Sequence, residues 1–172
     1  PGDFVFSGGR SGRDYATLLQ AAAGTGLPVV LAARPFNLRG LRIPENVRVS
    51  DLLPSEQYRE MNWQSRFVVV PLRQVDEAVG LTAILQGMAA GKAVICTELA
   101  GPAEYVQPGE SGLLVPEGDA GALRAAMLDL WAHPERCREM GKRGRARYAE
   151  MYTFAAFSRR VVSYLHDIGE GG

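Results

Sequence analysis

The chain has 172 residues, 47% of them hydrophobic and 22% charged, and its nineteen basic residues are balanced by nineteen acidic ones. That length supports one domain with a sizeable core, and the cancelled charge argues against a strongly cationic nucleic-acid binder. Cys96 and Cys137 sit in unlike settings and imply neither a disulfide framework nor a zinc site, and no apolar run is long enough to span a membrane.

The opening PGDF, with no methionine and no leader pattern, reads as the start of a fragment. FVFS at 4–7 predicts a short apolar strand. DYATLLQAAAG then predicts a helix with Tyr15, Leu18, Leu19 and Ala22 on one face. PVVLAA at 28–33 is the next strand. NVRVSD at 46–51 alternates and ends at a turn, and 54–62 has a weak helical pattern. RFVVVPL at 66–72 is almost wholly apolar, as expected of a strand covered on both faces of a parallel sheet. A helix over 81–90 and a strand at 93–97 follow. GLLVPEGD at 112–119 joins a short strand to a helix start, and Asp119 is placed to N-cap ALRAAMLDLW. Leu123, Met127, Leu130 and Trp131 form the stripe of that helix. His133-Pro134 breaks the pattern and opens another helix. The last helix, over 154–168, carries Phe154, Phe157, Val161, Tyr164 and Ile168 on one side.

Strands and helices alternate throughout, which predicts an α/β layer structure with a mostly parallel sheet. Ligands of such folds sit beyond the carboxyl ends of the strands. That geometry selects the loops 7–13, 50–54, 71–80 and 97–105. In the first, SGGRSGRDY places Gly9, Arg10 and Arg13 before a helix N-terminus. There unpaired N–H groups and two guanidinium groups suit a diphosphate. The same residues also fit a glycine-rich turn with two solvated arginines. In the third, Gly80 permits close approach of a ligand to backbone. The N–H groups of Leu81, Thr82 and Ala83 follow at the positive end of a helix. Gln86, one turn on, suits ribose hydroxyls or plain solvent exposure. Lys92 serves the dipole at the far end of that helix. Asp76 and Glu77 form the acidic pair of this loop. The fourth loop offers Thr97, Glu98 and Glu104, with Gly101-Pro102 fixing a turn and Glu104 read chiefly as a brace. His133 and His166 lack metal-ligand company. The basic run RCREMGKRGRARY at 136–148 reads as a solvated helix face, with peripheral contact to an anionic membrane as the rival.

The run GLTAILQGMAAGKAVICTELAGPAEYVQPGESGLLVPEGDAGAL resembles the segment of GT-B glycosyltransferases of family 4 in which an EAMA-x-G-x-P-V helix and strand precede G-G-x-x-E and G-x-x-G-L-L-V-x-x-G-D. Family 4 is the large retaining class that includes sucrose synthases and many lipopolysaccharide and capsule enzymes. The matching positions are Gln86, Met88, Ala89, Gly91, Val94, Gly101, Glu104, Gly109, Gly112, Leu113, Leu114, Val115, Gly118 and Asp119. The trailing MGKRGRARYAEMYTF is similar to the family's final pair of helices, and the likeness covers essentially the whole chain.

The resemblance implies a Rossmann-like, mostly parallel sheet flanked by helices, the GT-B C-terminal domain. It implies a donor nucleotide-sugar-binding domain over 1–172, with helices about 134–168 packing toward a missing N-terminal acceptor domain. Tyr152, Phe154 and Phe157 would face that partner. Arg10, Arg13 and Glu77 become the candidate catalytic residues. Gly9, Arg10, Arg13, Gly80, Leu81, Thr82, Gln86, Thr97 and Glu104 become the candidate nucleotide-sugar-binding residues. Glu77 stands one place from the strict position, Ala78, of the first of two family glutamates, and Gln86 replaces the second.

The implied reaction moves a sugar from a nucleotide-diphosphate donor to an acceptor glycan, lipid or small molecule. It proceeds with retention and without a metal, and no nucleic acid is involved. The family's catalytic histidine lies in the missing domain, so this half is expected to bind donor and to be inactive alone. A cytoplasmic location, or the inner face of the membrane, completes the expectation. The rivals are a nucleotide-sugar 2-epimerase of the same fold, a non-catalytic nucleotide-binding partner subunit, and a dinucleotide oxidoreductase. The last needs a glycine fingerprint that is missing.

Overall fold

The computed structural model describes residues 2–51, 53–75 and 79–170. Six strands form one sheet: β1 (Val5–Gly8), β2 (Val29–Ala32), β3 (Val47–Ser50), β4 (Phe67–Val70), β5 (Val94–Thr97) and β6 (Gly112–Val115). Their order across the sheet is β3-β2-β1-β4-β5-β6, and every neighbouring pair is parallel. The helices are α1 (Tyr15–Ala22), α2 (Ser55–Gln64), α3 (Leu81–Ala89), α4 (Ala100–Ala103), α5 (Ala120–Ala132), α6 (Pro134–Met151) and α7 (Phe154–Glu170). This is a Rossmann-like α/β domain, and its strand order reverses between β1 and β4.

Side chains alternate across each strand, so the two faces build separate cores. Val5, Leu31, Val69 and Ile95 meet Leu18, Leu19, Leu123, Met127 and Leu130 of α1 and α5, with Cys137 and Met140 of α6 at the margin. On the opposite face Val68, Val70, Val94 and Cys96 meet Ala83, Ile84 and Met88 of α3. Beside them Phe6, Val30 and Ala32 are covered by Tyr58 and Met61 of α2. Both faces of the central strands are thus buried, which is why β4 reads as an unbroken apolar run.

Two elements depart from the expectation. The Gly101-Pro102 turn is one turn of helix, α4, entered from extended Leu99. Pro102 lies in its first turn, where a missing N–H costs nothing. A 3-10 turn at Pro35–Leu38 follows β2, where no element was expected. The side of α7 that carries Phe154, Phe157, Val161 and Tyr164 is exposed, at 85%, 57%, 39% and 66%, and the Ile168 side chain lies outside the described residues. Among the described residues no helix is long and apolar enough to cross a membrane.

Candidate functional site

The carboxyl ends of β1 and β4 lie side by side at the strand-order reversal, and the loops that leave them touch. A Cβ on Gly12 would come within 2.6 Å of Val79 Cγ2. Gly12 and Gly80 both have positive φ, 63° and 83°, a region costly for residues with a side chain. The contact brings the first glycine-arginine loop against the start of α3.

In the first loop the carbonyls of Gly8 through Gly12 are each matched to a donor. Gly8 O accepts from Arg13 Nε at 3.1 Å and from the Tyr58 hydroxyl at 3.2 Å. Gly9 O accepts from the Tyr15 hydroxyl at 2.7 Å, and Arg10 O from Asn37 Nδ2 at 3.0 Å. Ser11 O accepts from an Arg13 terminal nitrogen at 2.9 Å, and Gly12 O from the Arg73 N–H at 3.0 Å. The groups that would repel an anion are therefore occupied. The Arg13 guanidinium lies over Gly9, whose absent Cβ leaves it that space. Two of its five N–H groups are used in these bonds, and its side chain makes no other hydrogen bond among the described residues. The Arg10 side chain is exposed and makes no hydrogen bond or ion pair among the described residues.

Gly80 is the N-cap of α3, and no side chain caps the helix. The N–H groups of Leu81, Thr82 and Ala83 are orphan donors at the positive end of the dipole. A Cβ on Gly80 would lie 2.7 Å from Leu72 Cδ1, so the residue also lets the loop close over β4.

Two residues of this site were not singled out from the sequence. Asp14 is buried and caps α1 by accepting from Thr17 N at 3.2 Å and Thr17 Oγ1 at 2.7 Å. It also pairs with Arg73 at 3.2 Å. Arg73 is thereby held at the mouth of the site, 57% exposed, where it lines a small cavity of about 110 Å³ with Val79, Leu81, Leu99 and Pro102. An Asp before a helix signals a cap, but nothing local signals its partner 59 positions later. The loop after β4 is further tied down by Glu117, which accepts from Gln74 N–H at 2.7 Å.

The contact of Gly12 with Val79 sets the loop that carries Gly9, Arg10 and Arg13 against the segment that leads into Gly80, Leu81 and Thr82. Gln86 is half-buried one turn into α3, in a cleft of about 480 Å³ that Thr82 also lines. Thr97 lies beneath the loops: it is buried, and its Oγ1 accepts from Leu72 N–H at 2.8 Å, fixing the end of β4 against β5. Glu104 lies apart from the first loop. Its side chain is exposed, while its carbonyl accepts from Arg147 at 3.1 Å and joins α4 to α6. Asp76, Glu77 and Ala78 are outside the described residues. No group of three or more His, Cys, Asp or Glu able to hold a metal occurs among the described residues.

Residues 36–147 match the model of the family described as glycosyl transferases group 1. The chain is 34% identical over 146 residues to the D-rhamnosyltransferase WbpZ of Pseudomonas aeruginosa, covering 79% of this chain and 37% of that protein. It is 31% identical over 161 residues to the O-antigen chain mannosyltransferase C of Escherichia coli, covering 87% and 42%. It thus spans well under half of each relative. Its fold is similar to that of Anabaena HepE, solved in complex with UDP-glucose, with TM-score 0.75 and 14% identity over 96% of this chain and 49% of that one. The parallel sheet and its strand-order reversal agree with these matches: the chain belongs to the group 1 glycosyl transferases, as a GT-B C-terminal, nucleotide-sugar-binding domain related to family 4.

Proposed function

We propose that this domain is the donor-binding half of a retaining glycosyltransferase, which moves a sugar from a nucleotide-diphosphate sugar to an acceptor hydroxyl. The observation that carries the reading is the contact between the carbonyl-occupied glycine-arginine loop and the uncapped start of α3. The donor diphosphate sits there, between Gly9–Arg13 and the N–H groups of Leu81 and Thr82. As the glycosidic bond breaks, charge grows on the leaving diphosphate. Arg10, Arg13 and the helix N-terminus stabilise it by groups already in position, without a metal. Gln86 takes the ribose hydroxyls, Glu77 attends the donor sugar, and Thr97 and Glu104 hold the loops that frame them. The rhamnosyl and mannosyl names of the relatives, and the UDP-glucose in HepE, support a nucleotide-linked hexose as donor.

A second α/β domain supplies the acceptor wall and the catalytic histidine. The exposed aromatic side of α7 supports this, since Phe154, Phe157 and Tyr164 leave most of their surface open. The acceptor is a glycan, a lipid or a small molecule. A cytoplasmic location is part of the proposal, and two buried free thiols support it. Isothermal titration with UDP, GDP and ADP tests the reading. Binding that weakens on Arg13→Ala supports it. No heat with any of the three at millimolar concentration refutes it.

A further inference from the structure

A trans peptide points its C=O and its N–H in opposite directions, so whatever holds a carbonyl also aims the N–H of the next residue. In the loop after β1 these holders are side chains from outside the loop as well as within it. The Tyr15 hydroxyl of α1 donates to Gly9 O at 2.7 Å, which aims the Arg10 N–H the other way. Asn37, in the 3-10 turn after β2, donates from Nδ2 to Arg10 O at 3.0 Å and so aims the Ser11 N–H. The Arg13 guanidinium does the same for the Gly12 N–H through Ser11 O at 2.9 Å. The N–H groups of Arg10, Ser11 and Gly12 themselves make no hydrogen bond among the described residues. One peptide differs. Gly8 O is held twice, by Arg13 and by Tyr58 of α2, but the N–H on that peptide, which belongs to Gly9, is already spent on Ala32 O at 3.2 Å.

We infer that Tyr15 and Asn37 are positioning residues for the donor diphosphate: by holding the carbonyls of Gly9 and Arg10 they turn the N–H groups of Arg10 and Ser11 toward it. The inference rests on the donor-binding reading above and deepens it. Consecutive backbone N–H groups in a tight turn make an anion-binding concavity, and Gly12, at φ 63°, supplies the left-handed position that closes such a turn. Arg10 thereby contributes through its backbone as well as through its exposed guanidinium. Without the Tyr15 hydroxyl the Gly9 carbonyl has no donor among the described residues. It is then free to swing outward and set an oxygen where the diphosphate should meet an N–H. Tyr15 is suited to this task. It is buried, at 1% exposure, so its ring is held in one setting by the core. Burial keeps its phenol above the ordinary 10.0, so the hydroxyl stays protonated and donates. A phenylalanine would fill the same core volume, and the one bond the hydroxyl adds is to Gly9, so the oxygen serves the loop rather than the packing.

Calorimetry and amide NMR of the chain, titrated with UDP, GDP, ADP and inorganic pyrophosphate, test the inference. Pyrophosphate should move the N–H resonances of Arg10, Ser11 and Gly12 downfield, together with those of Leu81 and Thr82. Tyr15→Phe should weaken pyrophosphate and the nucleotides alike, roughly tenfold, the scale of one hydrogen bond to a charged group. It should abolish the Arg10 shift while those of Leu81 and Thr82 persist. Asn37→Ala, a change in a surface turn that leaves the core intact, should do the same for Ser11. Tyr58→Phe should cost less than Tyr15→Phe, because the peptide it holds has no N–H to present. Equal losses in the two tyrosine variants would mean that both merely stiffen the loop, and would overturn the inference. Unchanged affinity in Tyr15→Phe or in Asn37→Ala, with binding still weakened by Arg13→Ala, also overturns it and leaves the donor-binding reading standing. Binding of none of the four ligands overturns both.

Discussion

Arg13 does two jobs that a sequence reading treats as one. Its guanidinium is spent partly on Gly8 and Ser11, where it rigidifies the loop, and, in the proposed function, partly on the donor diphosphate. Removing it should therefore loosen the loop as well as subtract a charge. Arg13→Ala is expected to weaken nucleoside diphosphate binding by about 1.5–3 kcal/mol, the range for charge-assisted hydrogen bonds. Arg13→Lys should restore only part of this, because an ammonium cannot bridge two carbonyls and a ligand with one planar fork. Calorimetric titration of the three proteins reads both effects. Full affinity in Arg13→Ala would remove Arg13 from the site.

Asp14 carries the argument from residues to elements. It ends the loop after β1, starts α1 and holds Arg73 against the loop after β4, so one carboxylate couples two elements. Asp14→Ala is expected to lower unfolding stability by about 1–2 kcal/mol through the lost cap. Asp14→Asn keeps a capping oxygen and should recover most of that loss, but not the ion pair with Arg73. Urea denaturation of the two variants separates the contributions, and equal losses in both would show that the pair with Arg73, not the cap, dominates. The basic run of α6 is also clarified at this scale. Arg136 pairs with Asp129, Arg138 with Glu135 and Lys142 with Glu139, and Arg147 donates to the carbonyls of Glu104 and Tyr105. Each exposed pair adds little stability. Together they account for much of the charge that a membrane surface would otherwise attract, leaving Arg143 and Arg145 as exposed basic residues of the run.

At the scale of the whole molecule, the two-faced core has a consequence for pH. Burial between the sheet and α3 pushes the Cys96 thiol up to about 12, above its ordinary value of 9.0. A thiol raised in the folded state adds stability that is fully present below its unfolded pKa and is lost as pH rises toward the folded value. Burial raises the phenols of Tyr15 and Tyr58 as well, which acts in the same direction above pH 10.0. Half-buried Lys92, pulled down by burial, opposes them. Urea midpoints should therefore fall between pH 9 and pH 11, and the fall should be shallower in Cys96→Ala. A midpoint that is flat or rises over this range contradicts the account. The second prediction at this scale concerns catalysis. Holding donor and acceptor together supplies much of the barrier reduction in a transfer reaction, and in the proposed function this domain provides the diphosphate end alone. Incubated with nucleotide sugars and acceptors, the isolated chain should yield no glycoside by mass spectrometry. Donor-dependent product at the rate of a full-length enzyme would mean that an acceptor site exists within these 172 residues.

Local pattern determined the elements. The apolar runs at 4–7, 28–33, 66–72 and 93–97 became strands, and Asp119 caps α5 by accepting from Ala122 N–H at 2.8 Å, as its place before the helix predicted. Gly80 was legible too, because a glycine between a strand and an apolar helix has few other reasons to be there. Such signals report how each residue differs from its neighbours along the chain, and they carry no record of which strand lies beside which. Only the folded chain set β1 against β4, and with that pairing came the strand-order reversal and the contact of Gly12 with Val79. The same holds for Arg73 on Asp14, Leu72 on Thr97, and Trp63 across the cleft from Tyr148. These contacts join segments separated by whole helices and strands, and their pairing follows from how helices cover both faces of a parallel sheet.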